Sequence, residues 1–192
     1  MFRFERLEIP EVILVTPEVR GDRRGFFMEH YRRSSFVAGG ISDIFVQDNH
    51  SFSGRGVLRG LHYQTPPKAH SKLVSVVQGE VLDVALDLRR GSPSYARHVA
   101  VRLSAENRHQ LYVPVGFAHG FAVLSETAHL VYKLSSEYAP EHDRGLRWND
   151  PALGVAWGLG DPVLSDKDQA QPTLEEADNP FVYEPCNEVR PD

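Results

Sequence analysis

His62 is the side chain with the clearest chemical potential. It lies in Arg59-Gly60-Leu61-His62-Tyr63-Gln64, a strand-like segment where a β-branched or aromatic residue is the ordinary occupant. Only histidine has an unperturbed pKa near neutral pH, so His62 is a candidate general base. A hydrogen-bonded core histidine is the other reading of the same position. Asp168, in Ser165-Asp166-Lys167-Asp168, fits a capping box and equally an orienting carboxylate for a histidine. Tyr132 alternates with Leu130 and Leu134 and reads on its own as a core aromatic with a hydroxyl to satisfy. Arg24, Arg59 and Lys72 suit an anionic ligand, since arginine pairs with phosphate bidentately. A solvated surface face is the alternative for each, although Arg59 has apolar strand residues on both sides. Strict alternation would put Arg59 and His62 on opposite faces of a strand. Gly60 offers a bulge that would bring them to one face.

His119 sits in Pro114-Val115-Gly116-Phe117-Ala118-His119-Gly120, and P-x-G-x-x-H is half of the signature of cupin β-barrels. The other half is an H-x-H with a downstream Glu, because a metal needs three or four converging donors. Here His62 is followed by Tyr63-Gln64, so no metal is expected. His119 is then either a turn residue held by backbone carbonyls or part of a dry polar cavity suited to acid–base chemistry.

The elements that must hold these residues are short and β-like. Between residues 11 and 135 the segments EVILVT, GFFMEHY, DIFVQDNH, GVLRGLHYQ, KLVSVVQ, EVLDVALDL, RHVAVRL, QLYV, GFAVL and HLVYKLS recur with turn signals between them. Residues 80–88 alternate, with Leu82, Val84, Leu86 and Leu88 on one face and Val81, Asp83, Ala85 and Asp87 on the other, which predicts a strand between two environments. Gln78-Gly79-Glu80 predicts a tight hairpin and Arg90-Gly91-Ser92-Pro93-Ser94 a turn. Ser34 or Ser35 is expected to cap one short helix ending at Gly39-Gly40. Capping-box patterns at 165–168 and 173–176 predict two brief helical turns near the C-terminus. The expected architecture is all-β, a sandwich or a barrel, with a few short helices, mainly near the C-terminus. Residues 1–183 form one domain in this reading and 184–192 a tail.

Composition agrees. At 192 residues the chain holds roughly 1.3 times a domain of about 150 residues. Its 41% hydrophobic and 24% charged residues are those of a folded globular chain. Lys plus Arg number 21 against 26 Asp plus Glu, a net charge of -5, which argues against nucleic acid as a partner. The one cysteine, Cys186, excludes an intrachain disulfide and fits a reducing cytoplasm. No unbroken apolar run exceeds four residues, and Glu5 and Glu8 interrupt the N-terminus, so neither a membrane span nor a signal peptide is expected.

Taken in order, GDRRGFFMEHY (21–31), FVQDNHS (45–51), GVLRGLHYQ (56–64), KLVSVVQGEVLDVALDLRRGSPS (72–94), LYVPVGFAHGF (111–121), LVYKLSSEYAP (130–140), RWNDP (147–151) and LSDKD (164–168) resemble the dTDP-4-dehydrorhamnose 3,5-epimerase family over nearly the whole chain. The resemblance implies a cupin-type jelly roll with His62 as proton acceptor, Tyr132 as proton donor and Asp168 paired with the base. It further implies substrate contacts at Arg24, Glu29, Gln47, Asp48, Asn49, Arg59, Lys72 and His119. The family's acidic residue after the tyrosines is the shorter Asp143 here. His70 stands where family members commonly carry Gln and is expected at the cavity rim. A homodimer is implied too, in which Arg24 and Glu29 serve their own site or a neighbour's.

The implied activity inverts C3 and C5 of a dTDP-4-keto-6-deoxy sugar in dTDP-L-rhamnose synthesis. Both carbons are alpha to the ketone, so a base, a stabilised enolate and an acid on the opposite face suffice, with no cofactor. Lys72 is expected to stabilise the enolate oxygen. Two rivals share the framework: a single-centre epimerase or keto-isomerase of a related pathway, and a sugar-nucleotide-binding barrel without chemistry.

Overall fold

Short apolar segments fold here as strands, thirteen of them among the described residues. The computed structural model describes residues 1–185. Of the expected tail, 186–192, with Cys186, lie outside the described residues. In chain order the elements are β1 (Phe2–Arg6), β2 (Ile13–Pro17), β3 (Val19–Asp22), β4 (Gly25–Met28), α1 (Arg33–Ala38), β5 (Gln47–Gly54), β6 (Leu58–Gln64), β7 (Lys72–Gln78), β8 (Glu80–Asp87), β9 (His98–Ser104), β10 (Gln110–Val113), β11 (Phe117–Val123), β12 (Thr127–Leu134), β13 (Asp143–Gly145) and α2 (Asp166–Gln169). A six-stranded sheet runs β1-β2-β10-β7-β12-β5 and a five-stranded sheet runs β13-β6-β11-β8-β9, while β3 and β4 form a separate ribbon. The pairs are antiparallel throughout. This is the expected all-β jelly roll.

The two large sheets enclose one apolar layer. Val74, Val76, Leu111 and Leu130 reach it from the six-stranded sheet, and Val81, Ala85, Phe117 and Phe121 from the five-stranded one. The outer face of the five-stranded sheet buries Val84, Leu86 and Ala118 under Leu146, Leu153, Trp157 and Phe181 of the C-terminal segment. The six-stranded sheet is covered by Phe36 and Ile41, which pack on Ile13, Leu73 and Tyr112. Strand β8 thus lies between two apolar environments, which is why both faces of residues 80–88 carry apolar side chains.

Two local expectations are corrected. Gln78-Gly79-Glu80 is not a hairpin, because β7 pairs with β10 and β12 whereas β8 pairs with β11 and β9. Gly79 instead turns the chain from one sheet to the other at φ +80°, where a Cβ would come within 2.0 Å of the Thr127 carbonyl oxygen. In α1 the N-cap is Arg32 rather than Ser34 or Ser35, and Ser35 Oγ accepts a hydrogen bond from Arg32 Nε at 2.9 Å. That helix, not the C-terminal one, is the longer of the two. The turns at 165–168 and 173–176 do close as capping interactions: Ser165 Oγ accepts from the Asp168 N–H, and Thr173 donates to Glu176.

Candidate active site

Inward-facing positions of β5, β6, β7, β8, β11 and β12 change from apolar to polar toward one part of the barrel interior, and the site forms there. On β6 the register with β11 pairs His62 with His119 but Arg59 with Phe121, so three residue steps on β6 oppose two on β11. The extra residue is the bulge that Gly60 was expected to supply. It turns Leu58, Leu61 and Tyr63 outward into the second core and leaves Arg59 and His62 lining one cavity. Only glycine fits there: φ is +123°, and a Cβ would lie 2.5 Å from the Gly120 Cα.

The cavity is about 390 Å³ and draws on both sheets. His62 comes from β6 in the five-stranded sheet, and Tyr132 and Lys72 from β12 and β7 in the six-stranded sheet. His62 Nε2 lies 2.5 Å from Asp168 Oδ1, and Ser165 Oγ donates to Asp168 Oδ2 at 2.9 Å. Burial alone would push the Asp168 carboxyl up. The hydrogen bond and charge of His62, with Ser165 and Lys167, instead hold it below the usual carboxylate range. An ionised Asp168 accepts the Nε2–H of His62, which leaves Nδ1 with the free lone pair.

Lys72 sits deeper. Burial lowers its ammonium to about 8 against the opposing charges of Asp83 and Asp143, so it is a cation at neutral pH that is easily discharged above it. His119 is buried and its Nε2 lies 3.0 Å from both oxygens of the fully buried Asp83. Burial, with the Lys72 charge, lowers the His119 pKa despite Asp83. The turn reading of His119 is therefore corrected: it stands on a strand, held by a carboxylate and not by backbone carbonyls. Arg59 is fixed by Ser53 Oγ and the Phe52 carbonyl, each at 3.0 Å. Among the described residues no carboxylate pairs with it, so a cation is presented to the cavity without a counter-ion. A second cavity of about 110 Å³ shares His62, Lys72 and Tyr132 with the first and adds Asn49, His70 and Asp143.

The model of the dTDP-4-dehydrorhamnose 3,5-epimerase family matches residues 6–176. The chain belongs to this epimerase family. A dTDP-4-dehydrorhamnose 3,5-epimerase of Pseudomonas aeruginosa is 55% identical over 90% of this chain and 96% of its own. Another, from Shigella flexneri, is 52% identical over 85% and 91%. Among solved structures, the dTDP-6-deoxy-D-glucose-3,5-epimerase of Legionella pneumophila, in complex with dTDP-4-keto-L-rhamnose, superposes with a TM-score of 0.92 at 44% identity, covering 96% of this chain and 100% of that one. ChmJ, a 3'-monoepimerase from Streptomyces bikiniensis in complex with dTDP-quinovose, superposes at 0.83 with 36% identity, covering 89% and 87%. The cupin-type jelly roll of the family is the fold of this member.

In this epimerase-family chain the expected site residues divide into two groups. His62, Tyr132, Asp168, Lys72, Arg59, His119, Asn49 and Asp143 line the two joined cavities. Gln47 supports them from behind, donating to Asn49 Oδ1 at 2.8 Å and accepting from the Tyr138 N–H at 2.9 Å. Three others stand apart from these cavities. Asp48 points to the outer face of β5 and pairs with Lys133 at 2.8 Å. Arg24 is exposed at the tip of the β3–β4 ribbon, paired with Asp22. Glu29 pairs with Arg32 at 3.3 Å. The shorter Asp143 still finds partners: Tyr138 donates to it at 2.9 Å and Lys167 forms an ion pair with it. Sequence reasoning missed Asp83. The available signal was a carboxylate among the inward apolar residues of β8. Its neighbour Asp87 gives the same signal but is consumed structurally by Arg89, Ser92 and Ser94.

Proposed function

We propose that this chain converts dTDP-4-dehydro-6-deoxy-D-glucose to dTDP-4-dehydro-L-rhamnose by inverting C3 and C5 through acid–base enolisation, with residues 1–183 acting as one catalytic domain. One observation carries the reading: His62 and Tyr132 line the same cavity from opposite sheets, with the half-buried Lys72 cation beside them. Inversion needs a base on one face of the ring and an acid on the other.

The steps follow from the chemistry of the substrate class. C3 and C5 flank the C4 carbonyl, and in the D-gluco configuration their hydrogens are axial on the same face, so one base serves both. His62 takes the proton on Nδ1 while Asp168 holds Nε2–H and stabilises the imidazolium that forms. The electron pair left on carbon moves toward C4, and the enolate oxygen develops beside Lys72. Charge held ready for it in a buried site contributes several kcal/mol to the transition state. Tyr132 gives its phenolic proton to the opposite face of the carbon. The phenolate then regains a proton from solvent as His62 releases its own. Substrate and product stand at one oxidation level, so electrons balance without a redox partner. Arg59 serves the diphosphate as a bidentate donor.

We also propose that the enzyme acts as a cytoplasmic homodimer. Phe26 and Phe27 on the ribbon are 58% and 70% exposed, next to Arg24 and Glu29, which have no place in their own cavity. A light-scattering mass of twice the chain is expected. The similarity to a 3'-monoepimerase supports a second reading, inversion at C3 alone. The test of the base is His62→Ala. Turnover should fall roughly 10²- to 10⁴-fold, the contribution of a positioned general base, with dTDP affinity kept. Near wild-type turnover would refute the assignment.

A further inference from the structure

His70 lies in the connection between β6 and β7, two residues before Lys72, and lines the 110 Å³ cavity. Both of its ring nitrogens are buried, and neither makes a hydrogen bond of good geometry; a backbone contact to Lys68 is the weakest influence on the ring. Buried polar atoms are seldom left in that condition without a reason. Burial first, and the Lys72 charge next, push the imidazole down to about 3 against the charge of Asp143, so the ring is neutral near pH 7. A neutral imidazole offers one donor and one acceptor.

Several of the other polar groups around this cavity are committed to the protein. Gln64 Nε2 donates to the Lys68 carbonyl at 2.7 Å and its Oε1 accepts from the Ala139 N–H at 2.7 Å. Asn49 Oδ1 accepts from Gln47, and Tyr138 and Asp143 bond to each other. The His70 ring lines the space beside Lys72 and Tyr132, and both of its nitrogens lack a hydrogen-bond partner among the described residues.

The two cavities meet at His62, Lys72 and Tyr132, where the proposed chemistry occurs. Arg59 lies on the larger one, which places the diphosphate there and leaves the ring edge remote from C1 to the smaller one. With the C4 oxygen at Lys72, its two neighbours differ in kind. C5 carries a methyl group, and C3 carries a hydroxyl that donates and accepts at once. We propose that His70 is a substrate-contacting residue that holds the C3 hydroxyl and so favours exchange at C3 over C5. This rests on the enolisation reading.

The test uses the full chain in deuterated water with dTDP-4-keto-6-deoxyglucose, comparing wild type, His70→Phe and His70→Gln. Initial deuterium uptake at C3 and at C5 and the dTDP dissociation constant are measured. In His70→Phe the C3 rate should fall about tenfold relative to C5, the loss of one neutral hydrogen bond, with dTDP affinity unchanged. His70→Gln, which supplies a donor and an acceptor, should restore the ratio to within about threefold. His70→Ala repeats the comparison should Phe not fit. An unchanged C3-to-C5 ratio on an active wild type overturns the proposal alone, as does a parallel loss of dTDP affinity. A wild type that labels neither carbon overturns the enolisation reading itself.

Discussion

Replacing Asp168 by Asn removes a charge and almost nothing else. The amide keeps the size of the carboxylate, and Ser165 Oγ still accepts the backbone N–H of residue 168, so α2 remains capped. What changes is the partner of His62. In the wild type a carboxylate oxygen lies 2.5 Å from Nε2, and the charge centres of an imidazolium and that carboxylate are about 4 Å apart. At an effective dielectric constant of about 20 such a pair attracts by about 4 kcal/mol. The proton is only partly transferred at the transition state, so between about half and all of that interaction is felt, which corresponds to roughly 30- to 1000-fold in kcat. An amide that presents its NH2 to Nε2 adds a second penalty, because it moves the ring proton to Nδ1 and blocks the lone pair. The assay is deuterium uptake at C3 and C5 under saturating substrate, with dTDP affinity by calorimetry as the control for folding. Both rates should fall together while dTDP affinity stays the same. A variant within about threefold of wild type would refute the view that the Asp168 charge supports the base.

Three further outcomes follow from the same geometry. Arg59→Ala should weaken dTDP binding by roughly 10-fold or more, the worth of a charge-assisted hydrogen bond, while C–H exchange at saturation persists; unchanged affinity would remove Arg59 from the diphosphate site. The rate of enolisation should decline as pH rises past about 8, because burial lowers the Lys72 pKa and the ammonium that faces the enolate is lost there and not near 10.5; a profile flat to pH 10 would contradict its role. Gly60→Ala forces a Cβ into the Gly120 backbone at a positive φ and should cost roughly 2–4 kcal/mol in urea denaturation, with activity lost by misplacement of Arg59 and His62; stability within about 0.5 kcal/mol of wild type would mean the bulge relaxes freely.

Much of this site was legible because its residues violate local expectation. A histidine in an apolar strand, an arginine three positions before it and a glycine between them gave the bulge that the register displays. The capping box at Ser165 fixed the place of Asp168, though only the fold could bring it 106 positions back along the chain to His62. What stayed hidden is non-local. Gln78-Gly79-Glu80 has the composition of a hairpin, yet the inward valines of β7 and β8 face each other across the core, so the chain had to change sheets. Asp83 and Asp87 look alike in the alternating strand, and only their partners separate a site residue from a structural one. Asp48 lies one position from Asn49 and faces the other way, since strand neighbours point to opposite sides. Arg24 at the tip of the ribbon and Glu29 just past its end line neither of the two joined cavities, a fact no local pattern encodes.

The central claim is that one base and one acid on opposite sheets invert two carbons flanking a ketone. It is tested most directly by incubating the wild-type protein with dTDP-4-keto-6-deoxyglucose in deuterated water and locating the label by mass spectrometry and NMR. The account predicts deuterium at both C3 and C5 in a product of L-rhamno configuration. Label at neither carbon, with dTDP still bound, would contradict it.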